Sequence, residues 1–127
     1  MKPLERDRDL AEVILADAEV LKARMARFDM TRERFIDDHS EEGEIAYDAI
    51  MSPVFRISED ALHFSDDLMA LLPDYPWANI RGFRNFVAHG YREVDRAIAW
   101  GVVVDDIPEL ARLLQGAAVQ GYLASEE

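Results

Sequence analysis

Arg84 and His89 stand five residues apart, with Asn85 directly after the arginine. A guanidinium grips a phosphate through parallel N–H groups and stabilises charge that builds on it. An imidazole takes up and releases protons near neutral pH. An amide can orient either group. On a helix, Asn85 and His89 share a face, being four residues apart. Arg84 is long enough to reach the same point, and Arg81 lies one turn earlier. Such a set suits phosphodiester cleavage. RNA carries its own nucleophile, the 2′-hydroxyl, so neither a metal nor a protein nucleophile is needed. DNA lacks that hydroxyl. By spacing alone the signal is weak, and the commoner reading of such a pair is a helix-terminal histidine bonded to the last carbonyls, with arginines on a solvated face.

The surroundings add weight. Residues 75–92 contain no acid, although the chain has 26 of them, and they hold Arg81, Arg84 and Arg92. The net charge is −12. A charge of that sign argues against gripping nucleic acid with the whole surface. A local basic island can still hold a phosphate, because screening confines the interaction to about 8–10 Å at physiological salt.

These groups must be positioned by helices. Leu10, Val13, Ile14, Val20, Leu21, Met25 and Phe28 recur at helical steps, which predicts an amphipathic helix from about Glu5 to Arg27. Asp17 falls inside that stripe and needs a partner or a polar cleft. Asp29-Met30-Thr31 ends the helix, and Thr31 can cap a short turn. Asp37 to Glu44 reads as a loop or frayed start. A second helix is expected over about 44–72, with Ala46, Ile50, Pro53, Val54, Ile57, Ala61, Phe64 and Leu68 inward. Pro53 should kink it or mark its true beginning. Pro73-Asp74-Tyr75-Pro76 is a break. A third helix follows from Trp77 to Ala88, with Trp77, Ile80, Phe83 and Val87 inward and Gly90 as a left-handed cap. A fourth stretch starts near Asp95, carries Ile98, Val102, Leu110, Leu113, Leu114 and Ala117, and is divided by Pro108. The tail from Gly121 is expected to fray. No alternating strand pattern of useful length is present. The expected fold is all-α, an up-down bundle of four main helices with a further short helix or a split last one, in one domain over 1–127.

Composition narrows the function classes. There is no cysteine, which removes disulfides, Cys-ligated zinc and a cysteine nucleophile. The longest uncharged apolar run, 97–104, is too short to span a bilayer. Met1-Lys2-Pro3 followed by mixed charge does not resemble a secretory leader, so the cytoplasm is the expected location, with no membrane contact.

The string Pro73-Asp74-Tyr75-Pro76-Trp77, then Ile80-Arg81-Gly82-Phe83-Arg84-Asn85, then His89-Gly90-Tyr91 resembles the HepT-like branch of the HEPN superfamily. Those proteins read P-x-x-P-W, I-x-G-x-R-N and H-x-Y. Ile57-Ser58-Glu59-Asp60-Ala61 upstream is similar to the family's Ile-Gly-Glu-Ala segment, with Ser58 in place of glycine. Val94-Asp95, Trp100 and Asp106-Ile107-Pro108-Glu109-Leu110 resemble its closing helix. Gly90 stands where many relatives carry a larger residue, which would loosen the approach to Tyr91.

The resemblance implies an all-α HEPN-like bundle, commonly a homodimer with two motifs facing one cleft. It implies metal-independent endoribonuclease activity without a cofactor, as the toxin of a toxin–antitoxin pair. Arg84, His89 and Asn85 would be catalytic, and Arg81 and Arg92 would bind RNA. The partner would be an MNT-type nucleotidyltransferase antitoxin that adds AMP to Tyr91. An alternative is a catalytically silent HEPN module that partners a nucleotidyltransferase. Glu59 is expected to hydrogen-bond an arginine of the motif, and Asp17 to pair with Arg81 or Arg84. His63 with Asp66 and Asp67, Asp37-Asp38 with His39, Asp105-Asp106 and Glu126-Glu127 read as solvated charge rather than metal sites.

Overall fold

The computed structural model describes residues 2–125; Glu126 and Glu127, read above as solvated charge, lie outside them. It is all-α, with no strand among the described residues. α1 (Pro3–Arg27) packs chiefly against α3 (Glu41–Ala61), and α3 in turn against α5 (Trp77–Gly90). α2 (Arg32–Asp37) and α4 (Asp66–Ala70) are short bridging helices, and α6 (Arg96–Gly101), α7 (Ile107–Leu114) and α8 (Ala117–Leu123) close the bundle. No helix among the described residues is long and apolar enough to cross a membrane.

The inward residues expected of α3 and α5 are buried: Ile50, Val54, Ile57, Ala61, Ile80, Phe83 and Val87. α3 continues across Pro53, which is itself buried, so Pro53 does not mark the helix start. Hydroxyl caps set several boundaries. Thr31 Oγ1 accepts from Arg34 N at 3.2 Å, as its position after the break suggested. Asp29, at φ 47°, makes the turn that precedes it, a conformation aspartate tolerates better than most residues.

Elsewhere the structure departs from the pattern. The second helix ends at Ala61, and Ser65 starts α4 by accepting from Leu68 N at 3.2 Å. The apolar period hides this break because Ala61 and Leu68 are buried on either side of it and Phe64 within it. α3 also begins earlier, at Glu41, with Ser40 Oγ accepting from Gly43 N at 3.1 Å. Asp37-Asp38-His39 is therefore an ordered turn: Asp38 Oδ1 takes Ser40 Oγ at 2.6 Å, and His39 Nδ1 meets Glu44 at 2.8 Å. Gly43 is required there, since a Cβ would lie 2.3 Å from the Asp38 carbonyl oxygen. Gly43→Ala should cost about 1–3 kcal/mol of stability, the usual penalty of overpacking. A urea midpoint equal to wild type would contradict this.

Gly90 is not a left-handed cap. Its φ is −159°, and a Cβ would meet only Glu93 at 3.6 Å, so the helix passes directly into a 3₁₀ turn, Tyr91–Glu93. The last helical stretch is divided near Pro108, as expected, but by a π turn rather than an open break. Pro108 lacks an N–H for the carbonyl four residues back, and a π turn over Val102–Asp106 takes up the extra residue, with Ile107 N bonding to Val102 O. Ile98 and Val13, both expected inside, are exposed.

The tail is docked rather than frayed through Leu123. Tyr122 Oη donates to Asp7 Oδ2 at 2.7 Å, and Ser65 donates to the same carboxylate from N at 2.9 Å and Oγ at 2.5 Å. Asp7 is fully buried and fully served, joining α1, α4 and α8. Ser58 is buried too, its hydroxyl bonded to Val54 O at 2.8 Å, so the polar atom in the family's glycine position is satisfied.

Candidate active site

α5 is anchored at its start by aromatic packing. Trp77 Nε1 donates to Leu72 O at 3.0 Å, Tyr75 Oη donates to Asp106 O at 2.7 Å, and the two rings meet edge-on at 4.9 Å. With Ile80, Phe83 and Val87 turned inward, the acid-free side of the helix must face out. Arg81, Asn85, Ala88 and His89 are exposed along it.

Arg84 lies at the flank facing α3. Its Nε donates to Glu59 Oε2 and its terminal nitrogen to Asn85 Oδ1 at 3.1 Å. The expected link from Glu59 to an arginine of the motif is therefore present. His63 Nε2 lies 3.5 Å from the other Glu59 oxygen, which adds a residue that spacing did not connect to the motif. Asp17 does not reach Arg81 or Arg84. It pairs with Arg56 at 2.9 Å, because α1 packs against α3 and not against the outer face of α5.

Arg84 fixes the charge state of Glu59, holding its carboxyl below the ordinary value of 4.5, with His63 a smaller contributor. A carboxyl depressed in the fold adds stability above its unfolded value, and this is lost as pH falls through the folded one. The melting-temperature gap between wild type and Glu59→Gln should thus be constant near neutral pH and close as pH drops below about 4.5. Both groups are about one-third exposed, so the gap will be small. A gap that persists unchanged to about pH 3 would count against the pair.

His89, Arg81 and Arg92 make no side-chain hydrogen bond or ion pair among the described residues. The structure brings Arg84 and Asn85 together, but no contact joins His89 to either. Five residues turn about 140° around a helix, so Arg84 and His89 look out from different flanks of one exposed face.

Tyr91 follows in the 3₁₀ turn. Its hydroxyl donates to Asp48 Oδ1 at 2.6 Å, and its ring lies 6.1 Å from that of Tyr47. Burial and the Asp48 carboxylate push the phenol well above its ordinary value, so it stays protonated. Arg96 stacks 3.7 Å over the Tyr47 ring and pairs with Glu44 at 2.7 Å, which stiffens this seat. The motif spacing alone does not point to Asp48. A signal existed: Glu44, Asp48, Ser52, Arg56 and Asp60 form a polar row at four-residue steps along one side of α3. No cluster of metal-binding side chains occurs among the described residues.

The family model described as "Ribonuclease HepT-like" matches residues 14–116. The chain belongs to the ribonuclease HepT-like family. This HepT-like chain is 27% identical over 64 residues to "Putative RNase MJ1380" of Methanocaldococcus jannaschii, covering 50% of the chain and 59% of the relative. It is 31% identical over 62 residues to "Probable ribonuclease HepT" of Thermococcus cleftensis, covering 49% and 56%. The chain thus matches somewhat over half the length of each relative. No solved structure matches it.

Proposed function

We propose that this HepT-like chain is a metal-independent endoribonuclease, acting in the cytoplasm as the toxin of a toxin–antitoxin pair. The observation that carries the reading is the outer face of α5, in a chain of this family: acid-free, exposed, and presenting His89 and Arg81 with no side-chain partner of their own among the described residues, with Arg92 following in the 3₁₀ turn. Arg84 binds the scissile phosphate and stabilises its charge, and Asn85 orients the arginine it already touches. The RNA 2′-oxygen attacks phosphorus, the bond to the 5′-oxygen breaks, and His89 moves a proton in that exchange. Arg81 and Arg92 hold neighbouring phosphates.

The active form in this reading is a homodimer. Arg84 and His89 diverge within one chain, and a second copy can complete each site. An open groove of about 780 Å³ lies between α5 and α6, beside Phe86 and Ile98, which are 53% and 64% exposed. Its far wall carries Asp95, Asp105 and Asp106, complementary in charge to the α5 arginines of another copy.

Tyr91 is the control point, modified with AMP by an MNT-type nucleotidyltransferase antitoxin. Its hydroxyl would attack the α-phosphorus of ATP, releasing pyrophosphate, and its proton would leave to a base. The product places a phosphodiester anion two residues from His89, where it repels RNA. It must also leave its seat, since the phenolic oxygen can no longer donate to Asp48.

The test is inducible expression of the wild type, following growth and total RNA, with and without a neighbouring nucleotidyltransferase gene. Arrest with new RNA fragments, both lost as an AMP mass appears on Tyr91, is the expected result. The second reading, a silent module that only presents a surface to its partner, is favoured by one observation: Arg84 is already occupied by Glu59. Intact RNA and normal growth with folded, unmodified protein would select it.

A further inference from the structure

A second recess lies beside the motif, between α3 and α5. It measures about 460 Å³, the size of a nucleoside rather than of a bare phosphate, and Met51, Phe55, Val87 and Ala88 form its apolar part. Tyr91 and Asp48 stand at one end, and Ser52 and Arg56 line it with them. The Arg56 guanidinium is held in place, its Nε and one terminal nitrogen on Asp17 and the other on Ser52 Oγ at 2.7 Å.

The lining selects its occupant. A phosphate gains little here, since the cation is already neutralised by Asp17 and a carboxylate, Asp48, lines the same space. A planar base gains much: apolar walls, two aromatic side chains and a fixed guanidinium to pack against. The Watson–Crick edge of every RNA base carries an N–H that Asp48 can accept. The recess reaches Ala88, the residue before His89, so a base seated there belongs to a nucleotide whose phosphate runs along the outer face of α5. Single-stranded RNA offers such unstacked bases.

We propose that this recess is a nucleobase subsite, which holds the base of a nucleotide next to the bond that is cut. The proposal rests on the ribonuclease reading for its biological use, but its binding can be tested apart from cleavage. The ¹⁵N-labelled His89→Ala chain, chosen because it should cut RNA far more slowly, is titrated with a mixed-sequence RNA tetranucleotide and separately with ribose 5-phosphate. The tetranucleotide should shift the amides of Ser52, Phe55 and Ala88, and ribose 5-phosphate should not. Adding Ala88→Leu, which fills the recess from an exposed helix position, should weaken tetranucleotide binding at least tenfold, with an otherwise wild-type spectrum showing an intact fold. Three results would overturn the subsite: equal shifts from ribose 5-phosphate, shifts confined to Arg81 and Asn85, or undiminished binding after Ala88→Leu. Base-dependent binding in a chain whose wild type cuts no RNA would keep the subsite and sink the ribonuclease reading instead.

Discussion

His89→Ala should lower RNA cleavage by the purified chain by about 10²–10⁴-fold, the range lost with a positioned proton-transfer group. The fold should not notice. His89 is exposed and makes no side-chain bond among the described residues, so no contact is broken and no cavity opens. Melting temperature and cleavage rate therefore separate cleanly in this variant. Arg84→Ala should also lose cleavage, but it strips Glu59 of its arginine, so its defect mixes chemistry with local structure. A gel assay on a labelled single-stranded RNA, run beside a thermal melt, reads both. Cleavage by His89→Ala at the wild-type rate would remove His89 from the mechanism.

The largest structural effect is expected from Phe35→Ala, a loss of about 3–5 kcal/mol. Phe35 has no exposed surface, and its ring lies 5.0 Å from Tyr47 and 5.3 Å from Trp100. α2 is a short helix with no other buried side chain, so this ring, with the partly buried Ile36 beside it, is its main attachment to the core. Against a typical total of 5–15 kcal/mol, the variant should be marginal. Urea denaturation at neutral pH measures it, and a loss under about 1 kcal/mol would show that the site can collapse. The damage should spread to the Tyr91 seat. The Tyr47 ring packs tilted against Phe35, and Arg96, which covers Tyr47, also donates to the Phe35 carbonyl at 3.3 Å.

The helices that carry the site were readable because their signals are local. Pro76-Trp77 opens α5, its apolar residues repeat at helical steps, and that period alone says Arg81, Asn85 and His89 face outward. The acid-free window is equally a property of adjacent residues. Boundaries were less legible where a buried period continues across a break, as at Phe64 and Leu68, or where a proline is absorbed by a π turn. The tail of α8 looked unsupported because its partner, Asp7, is 115 residues away.

What the chain determined by itself is thus the helical class, the outward face of α5 and the chemical types on it. Tertiary structure alone decided which charges meet. Asp17 found Arg56 and not Arg84, Glu59 took Arg84, and Tyr91 came to rest on Asp48 across 43 residues. The reason is geometric: period 3.6 sets the direction of a side chain within its own helix, whereas the partner it meets depends on how two helices are offset and turned against each other. Packing of buried apolar faces sets that offset, and the polar pairs and the recess between α3 and α5 follow from it.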